Sequence, residues 1–330
     1  MLGEFDLIKK IKDRAYRNSE NLTKGIGDDC AIIRQSDGLD SLISCDLLVE
    51  DVHFKLGYTP ARSLGHKTLA VSLSDMAAMG GRPRFCTLSL AIPDHINDKF
   101  LNEFFDGFFA LADRYEVTLI GGDTSRSPDK FVIDLNIIGE CPSGAAIRRD
   151  GAKAGDLIFV TGSLGASAVG LILLERGYLP VEKSPNRIET LMNRAVQAHL
   201  EPDPRVEIGL RLLELGIATS MIDLSDGLSS DLNHICEESR VGARIYADKI
   251  PISDTAEATK EDGLSLALNG GEDYELLFTV NPQSQNLISN LDKDVRLTLI
   301  GEITNGSDVL LNTFHRSEAL LPGGYEHFNK

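Results

Sequence analysis

Aspartates recur in one local setting along this chain: at the end of an apolar run, beside a glycine or a hydroxyl residue. Asp28 and Asp29 sit in "GIGDDCAI", Asp46 ends "LISCD", Asp75 lies in "VSLSDMAAMGG", and Asp123 closes "TLIGGD". Asp223 and Asp226 fall in "MIDLSDG", and Glu272–Asp273 fall in "NGGEDYELLF". Aspartate is a poor strand residue. Taken singly, each is ordinary, since an Asp after Gly-Gly serves as a turn or N-cap residue, and Asp226 can cap the helix that follows it. Taken together, they repel one another unless a cation gathers them. Hard oxygen ligands without Cys or paired His favour Mg²⁺, which keeps its waters and is shared with substrate phosphates. The pattern therefore points to phosphate chemistry in which a metal reverses the local sign of charge.

Several other chemistries are excluded. "DLSDG" lacks the D-x-[DN]-x-[DN]-G spacing of a calcium loop, and no G-x-x-x-x-G-K-[ST] or post-strand G-x-G-x-x-G is present. "GHKT" (65–68) has only the tail of a P-loop. "VTGSLGAS" (160–167) has the strand–Gly–helix form that binds an anion at a helix N-terminus, but this form also serves as a plain turn. The five cysteines, Cys30, Cys45, Cys86, Cys141 and Cys236, form no C-x-x-C pair, so neither a zinc site nor a redox pair is expected. An odd count without a secretory leader fits a reducing cytoplasm. With 33 basic against 50 acidic residues, a net charge of −17, the chain is not a nucleic-acid binder. No apolar run is long enough to span a membrane.

The elements that position these residues follow from periodicity. The N-terminus reads as an amphipathic helix, and "CAIIRQ" and "SLISCDLLV" as strands joined at "SDGLD". Residues 60–79 read as a helix with Pro60 near its start and Gly80–Gly81 beyond its end. "RFCTLSLAI", "VTLIGGD" and "FVIDLNIIGE" are strands, and "NDKFLNEFFDGFFALADRY" is a helix with an aromatic stripe. A break follows at 141–156. The pattern then restarts with strand "DLIFVTG", helices across 165–177 and 187–215, strand "ATSMID", a helix from "SDGLSSDLNHICEE", and strands near 241–247, 274–280, 297–303 and 308–312. A chain of 330 residues suggests two domains, here 1–145 and 146–330, in an α/β (α+β) class. If residues 28–33 are extended, Asp28 and Asp29 point to opposite faces, so one is a ligand and the other a turn or hydrogen-bond partner. Spacing alone does not choose between them.

The ordered series "GEFDLI", "GIGDDCA", "D-x-L-V-E-x-V-H-F" (46–54), "KTLAVSLSDMAAMG", "IGGDTSRS", "RRDGAKAGD", "VTGSLG-x-S-x-x-G", "IDLSDGL-x-x-D" and "GGEDYELLFT", to the terminal "GGYEHF", resembles the thiamine-monophosphate kinases of the aminoimidazole ribonucleotide synthetase superfamily. The resemblance spans essentially the whole chain. It implies ATP-dependent phosphorylation of thiamine monophosphate to thiamine diphosphate by direct, Mg²⁺-assisted transfer. It also implies a homodimer whose N-terminal domains join sheets into a β-barrel, with ATP near the interface. By matching motif, it implies metal ligands at Asp29, Ser44, Cys45, Asp46, Asp75, Asp123, Asp223 and Asp226, and if Mg²⁺ bridges the two phosphates, Asp75 and Asp223 are expected among the positions most sensitive for catalysis. Nucleotide contacts are implied at Phe105, Gly122, Asp123, Arg149 and Ser225, and thiamine-phosphate contacts at His53, Glu272 and Tyr325. The family usually has Ser-Thr-Asp where this chain has Ser44-Cys45-Asp46. Cys45 serves if the middle residue contributes its main-chain carbonyl, and that ligand is lost if the hydroxyl matters.

Plain structural roles stand beside these. His53 alternates with apolar residues as a strand histidine would, Tyr325 can cover core, Arg149 can pair with Asp150 or Glu140, and Phe105 belongs to a core stripe. Two kinds of rival remain. One is another ATP-using member of the superfamily: a synthetase, a selenophosphate synthetase or a hydrogenase-maturation ATPase. Cys30 lacks the glycine-rich loop of a selenophosphate synthetase. The other is a non-catalytic acidic metal-binding protein, which would bind Mg²⁺ without ATP turnover.

Overall fold

The computed structural model describes residues 3–15, 20–180, 186–288, 291 and 295–327. An opening helix, α1 (Glu4–Ala15), precedes strands β1 (Leu22–Lys24), β2 (Ala31–Arg34) and β3 (Leu39–Val49). Helix α2 (Ala61–Ala78), strand β4 (Arg82–Ile92), helix α3 (Asp98–Arg114), and strands β5 (Thr118–Arg126) and β6 (Val132–Pro142) follow. These strands form one sheet in the order β1-β2-β3-β6-β4-β5, antiparallel except for β4 and β5. That parallel pair is joined by α3, as a parallel connection requires a crossover.

The second sheet uses β7 (Leu157–Thr161), β8 (Ala218–Asp223), β9 (Gly242–Tyr246), β10 (Leu276–Val280), β11 (Leu297–Thr304), β12 (Val309–Asn312) and β13 (Ser317–Ala319). Its order is β13-β12-β9-β11-β7-β10-β8, with β12 and β9 its parallel pair. Helices α4 (Ala166–Glu175), α5 (Arg187–Leu200), α6 (Val206–Leu215), α7 (Leu228–Ser239), α8 (Gly263–Asn269) and the short α9 (Gln285–Ile288) belong to this half. The helical stretch over 187–215 is divided at "EPDPR", where Pro202 and Pro204 remove backbone donors and disfavour helix before them.

Helix α2 joins the two halves. Apart from Arg62, His66 and Asp75, every one of its residues is buried. Its small residues (Ala, Gly, Ser) allow backbones to come close on more than one side. A Cβ on Gly65 would stand 1.8 Å from the Phe104 carbonyl oxygen of α3, and one on Gly209 of α6 would stand 2.1 Å from that of Ala77. The principal core accordingly mixes Leu64, Leu73 and Met76 with Val206, Leu212, Met221 and Phe278. The opposite face of the first sheet is uncovered, with Leu47, Phe85 and Ile120 about half exposed. Its edges at β1 and β5 are free among the described residues, so the sheet does not close within one chain. No helix among the described residues is long and apolar enough to cross a membrane.

Candidate active site

The alternation of β3 turns Ser44 and Asp46 inward and Cys45 outward. Asp29 enters from the bend before β2, Asp75 from the last turns of α2, and Asp223 is the final residue of β8. Carboxylate oxygens of Asp29, Asp75 and Asp223 all lie within 4.8 Å of one another. Hydroxyls surround them. Ser44 donates to Asp75, Ser72 to Asp46, and Ser74 to Asp223 at 2.6 Å. Among the described residues, Arg149 answers the cluster directly: on a 3-10 turn at Arg149–Gly151, it forks onto Asp29, with its Nε 3.2 Å from Oδ2.

The residues after Gly27 form a bend rather than a strand, and β2 begins only at Ala31. Asp29 therefore faces the cluster, while Asp28 pairs with Lys24 at 3.3 Å and accepts from the Arg149 backbone N–H at 3.3 Å. Burial, reinforced by Asp46, Asp223 and Asp29, pushes the Asp75 carboxyl well above the usual range. Burial and then Asp29 push Asp223 up to about 8. Burial also raises Asp46. Such a set retains protons unless a divalent cation replaces them, and the donors are all hard oxygens, the chemistry Mg²⁺ accepts.

The remaining sequence candidates fall elsewhere. The Cys45 side chain is exposed on the far side of the sheet, its Sγ 3.2 Å from Asp134 Oδ1, so the thiol is no part of the cluster. Asp123 and Gly122 lie on the exposed edge strand β5, where Asp123 accepts from the Thr124 N–H at 2.8 Å. Gly122 is required there, since its φ is +152° and a Cβ would meet the Leu88 oxygen at 1.8 Å. Asp226 groups instead with Asp231 and His234, their ligand atoms within 4.8 Å of one another. Asp231 also accepts from the Gly227 N–H at 3.0 Å at the start of α7. Phe105 is half-buried on α3, edge-on to Phe104 and stacked on Phe109 at 5.9 Å.

A second group of candidates assembles around Glu272. The Glu272 carboxylate is close enough to act electrostatically on both His53 and Tyr325. His53 Nδ1 accepts from the Val49 N–H at 3.0 Å, and its ring lies 4.9 Å from that of His327, which is 5.0 Å from Tyr325. Tyr325 N donates to the Asp226 carbonyl at 3.3 Å, and Glu272 N donates to the Ser225 carbonyl at 2.8 Å. The "LSDG" loop therefore links the aspartate cluster to this second group.

Comparison with known proteins gives two family-model matches: AIR synthase related protein, N-terminal domain, over residues 27–141, and its C-terminal domain over 153–311. The thiamine-monophosphate kinase of Salmonella typhimurium is 45% identical, covering 99% of this chain and 98% of the relative. That of Bacillus subtilis is 38% identical over 99% and 100%. The chain belongs to the thiamine-monophosphate kinase family. Among solved structures, AaThiL complexed with AMPPCP and TMP matches with a TM-score of 0.84 and 31% identity, covering 99% of this chain and 97% of that one. The Stenotrophomonas maltophilia thiamine-monophosphate kinase matches with a TM-score of 0.78 and 39% identity over 94% and 97%. The hydrogenase maturation protein HypE, at 19% identity and a TM-score of 0.68, shares the fold alone.

In this thiamine-monophosphate kinase family member the "VTGSLGAS" turn is already filled. Asp273 accepts from the Gly165 N–H at 2.6 Å and the Ser167 N–H at 3.3 Å, so the chain's own carboxylate takes the place of an external anion. Sequence reasoning assigned no role to Lys24, Lys67, Ser72, Ser74, His199 or His327, all of which stand at or beside these groups. A signal existed for Lys67, the lone lysine in a helix otherwise dominated by small and apolar residues, eight positions before Asp75.

Proposed function

We propose that the chain transfers the γ-phosphoryl group of ATP to the phosphate of thiamine monophosphate, releasing ADP and thiamine diphosphate. The convergence of Asp29, Asp75 and Asp223 from three distant segments into one buried, hydroxyl-lined cluster carries this reading. It is supported by the family and by the AMPPCP and TMP with which AaThiL is complexed. More than one Mg²⁺ ion would be held: Asp29, Ser44, Asp46, Asp75 and Asp223 would serve at the cluster and Asp123 and Asp226 outside it, with Cys45 offering only its main chain. When bound, the metal supplies charge neutralisation between two phosphate-bearing substrates. Asp75 and Asp223 are the positions on which turnover depends most.

The chain's own residues orient the reactants. Arg149 and the backbone near Gly122, Asp123 and Ser225 receive the nucleotide, with Phe105 beside the base. His53, Glu272 and Tyr325 receive the thiamine moiety. Burial, then His327, lowers the His53 pKa, so this ring is neutral near pH 7. No strong base is needed, because a phosphate monoester with a second pKa near 6 already presents an ionised oxygen. That oxygen forms the new P–O bond as the bond to ADP breaks.

Residues 1–145 act as the ATP- and Mg²⁺-binding and dimerising domain, and 146–330 complete both binding sites. The exposed apolar residues Leu47, Phe85 and Ile120 fit a homodimer in which two first sheets close a barrel. The test is ADP release with and without thiamine monophosphate, with chromatographic detection of thiamine diphosphate. Acceptor-dependent ADP release in step with thiamine diphosphate is expected. ADP release that ignores the acceptor, or no product, would overturn the reading.

A further inference from the structure

Lys67 is the most deeply buried cation near the site, 2% exposed in the middle of α2. A lysine so enclosed is costly unless paired and hydrogen-bonded. Its Nζ lies 3.0 Å from Glu272 Oε2. His199 of α5, 4% exposed, brings one ring nitrogen, Nδ1, to 3.2 Å from the same oxygen and 3.0 Å from Ser167 Oγ. Two buried groups on different helices thus engage Oε2, while the Glu272 side chain stays 25% exposed.

The backbone beneath is equally constrained. Glu272 has φ +64° and Tyr274 φ +50°, conformations that L-residues seldom adopt. They are held by the Glu272 N–H donating to the Ser225 carbonyl at 2.8 Å and the Tyr274 N–H to that of Leu224 at 2.9 Å. Strain of this kind persists where the surroundings over-determine it, and it gathers at sites that need fixed geometry. Burial alone would raise the Glu272 pKa, but the Lys67 ammonium outweighs it and leaves the carboxylate more acidic than usual. Burial and Lys67 push His199 down to about 3, so it acts as a neutral ring.

Resting on the function proposed above, we infer that Lys67 and His199 are positioning residues for Glu272. They anchor Oε2 so that the other carboxylate oxygen faces the cationic, amine-bearing organic end of the acceptor, and so set acceptor selectivity. A mere inter-helix staple would give the same contacts but would not act selectively on one substrate.

Steady-state kinetics on Lys67→Met, Glu272→Gln, His199→Asn and the Lys67→Met/Glu272→Gln pair separate these. Lys67→Met should raise KM for thiamine monophosphate about tenfold while leaving KM for ATP within about twofold. The paired variant should be no worse than the poorer single one, because both act through one carboxylate. A folded Lys67→Met protein with unchanged acceptor KM, or with equal rises in both KM values, overturns the inference. If Lys67→Met does not fold, His199→Asn decides: a rise of about threefold or more in acceptor KM alone supports the inference, and no rise overturns it. Absence of thiamine-monophosphate-dependent turnover in the unaltered protein overturns the functional reading, and this inference with it.

Discussion

Replacing Asp75 by Asn should make the metal-free protein more stable while removing its activity. Asp75 shares with Asp29 and Asp223 a set of oxygens within 4.8 Å of one another. At an effective dielectric near 20, each fully ionised like-charge pair at that separation costs about 3 kcal/mol, and Asp75 takes part in two. Proton uptake relieves most of this, since burial and neighbouring charge hold Asp75 and Asp223 partly protonated. A net gain of about 1–2 kcal/mol remains, or roughly 1–3 °C in Tm for a chain of this size. Asn keeps an oxygen to accept from Ser44, so packing changes little. Turnover should fall by about 10³ or more, equivalent to about 4 kcal/mol of transition-state stabilisation. The assay is thermal melting at pH 8 in EDTA and in excess Mg²⁺, paired with ADP release. The unaltered protein should gain stability from Mg²⁺, and Asp75→Asn should lose most of that gain. A variant that melts lower in EDTA, keeps the full Mg²⁺ shift, or turns over near normally at saturating Mg²⁺ would refute the electrostatic account.

Other outcomes follow from the same structure. In EDTA, stability should fall as pH rises from 6 to 8.5: between the unfolded Asp value near 3.8 and the folded value of about 8, only folded Asp223 keeps its proton, and above 8 the penalty is complete. Asp273, raised by burial to about 7, adds to the same slope, and Mg²⁺ should flatten the part due to the cluster, as melting curves across pH will show. Gly65→Ala places a Cβ 1.8 Å from the Phe104 carbonyl oxygen and should cost about 3 kcal/mol or prevent folding, read from the denaturation midpoint. Ile120→Lys, at an exposed apolar position on the uncovered sheet, should shift the protein toward monomer in sedimentation experiments without lowering its Tm as a core change would.

Much of the frame was legible because it rests on local rules. The strands and helices around β3, α2 and β8 follow from periodicity, and strand alternation explains why Ser44 and Asp46 face inward while Cys45 does not. What stayed hidden depends on distant parts of the chain. The choice between Asp28 and Asp29 turned on a bend and on Arg149, about 120 residues away, while Lys67 and His199 gain meaning only when Glu272 folds between them. Nothing in "GGEDYE" announces left-handed backbone at Glu272 and Tyr274, since neither is glycine. The short strands β1 and β13 and the short helix α8 carry too few residues for a periodic signal.

Helix α2 carries Lys67 near its middle and Asp75 in its last turns, eight residues apart and about 12 Å along the axis at 1.5 Å per residue. Because both halves of the molecule clamp this rod, that spacing is rigid, and it acts as a ruler between the organic end of an acceptor and its reacting phosphate. Acceptors would then be screened by length before any chemistry begins. A single residue inserted between the two marks would swing one of them by about 100° and defeat the measurement, even with every side chain retained.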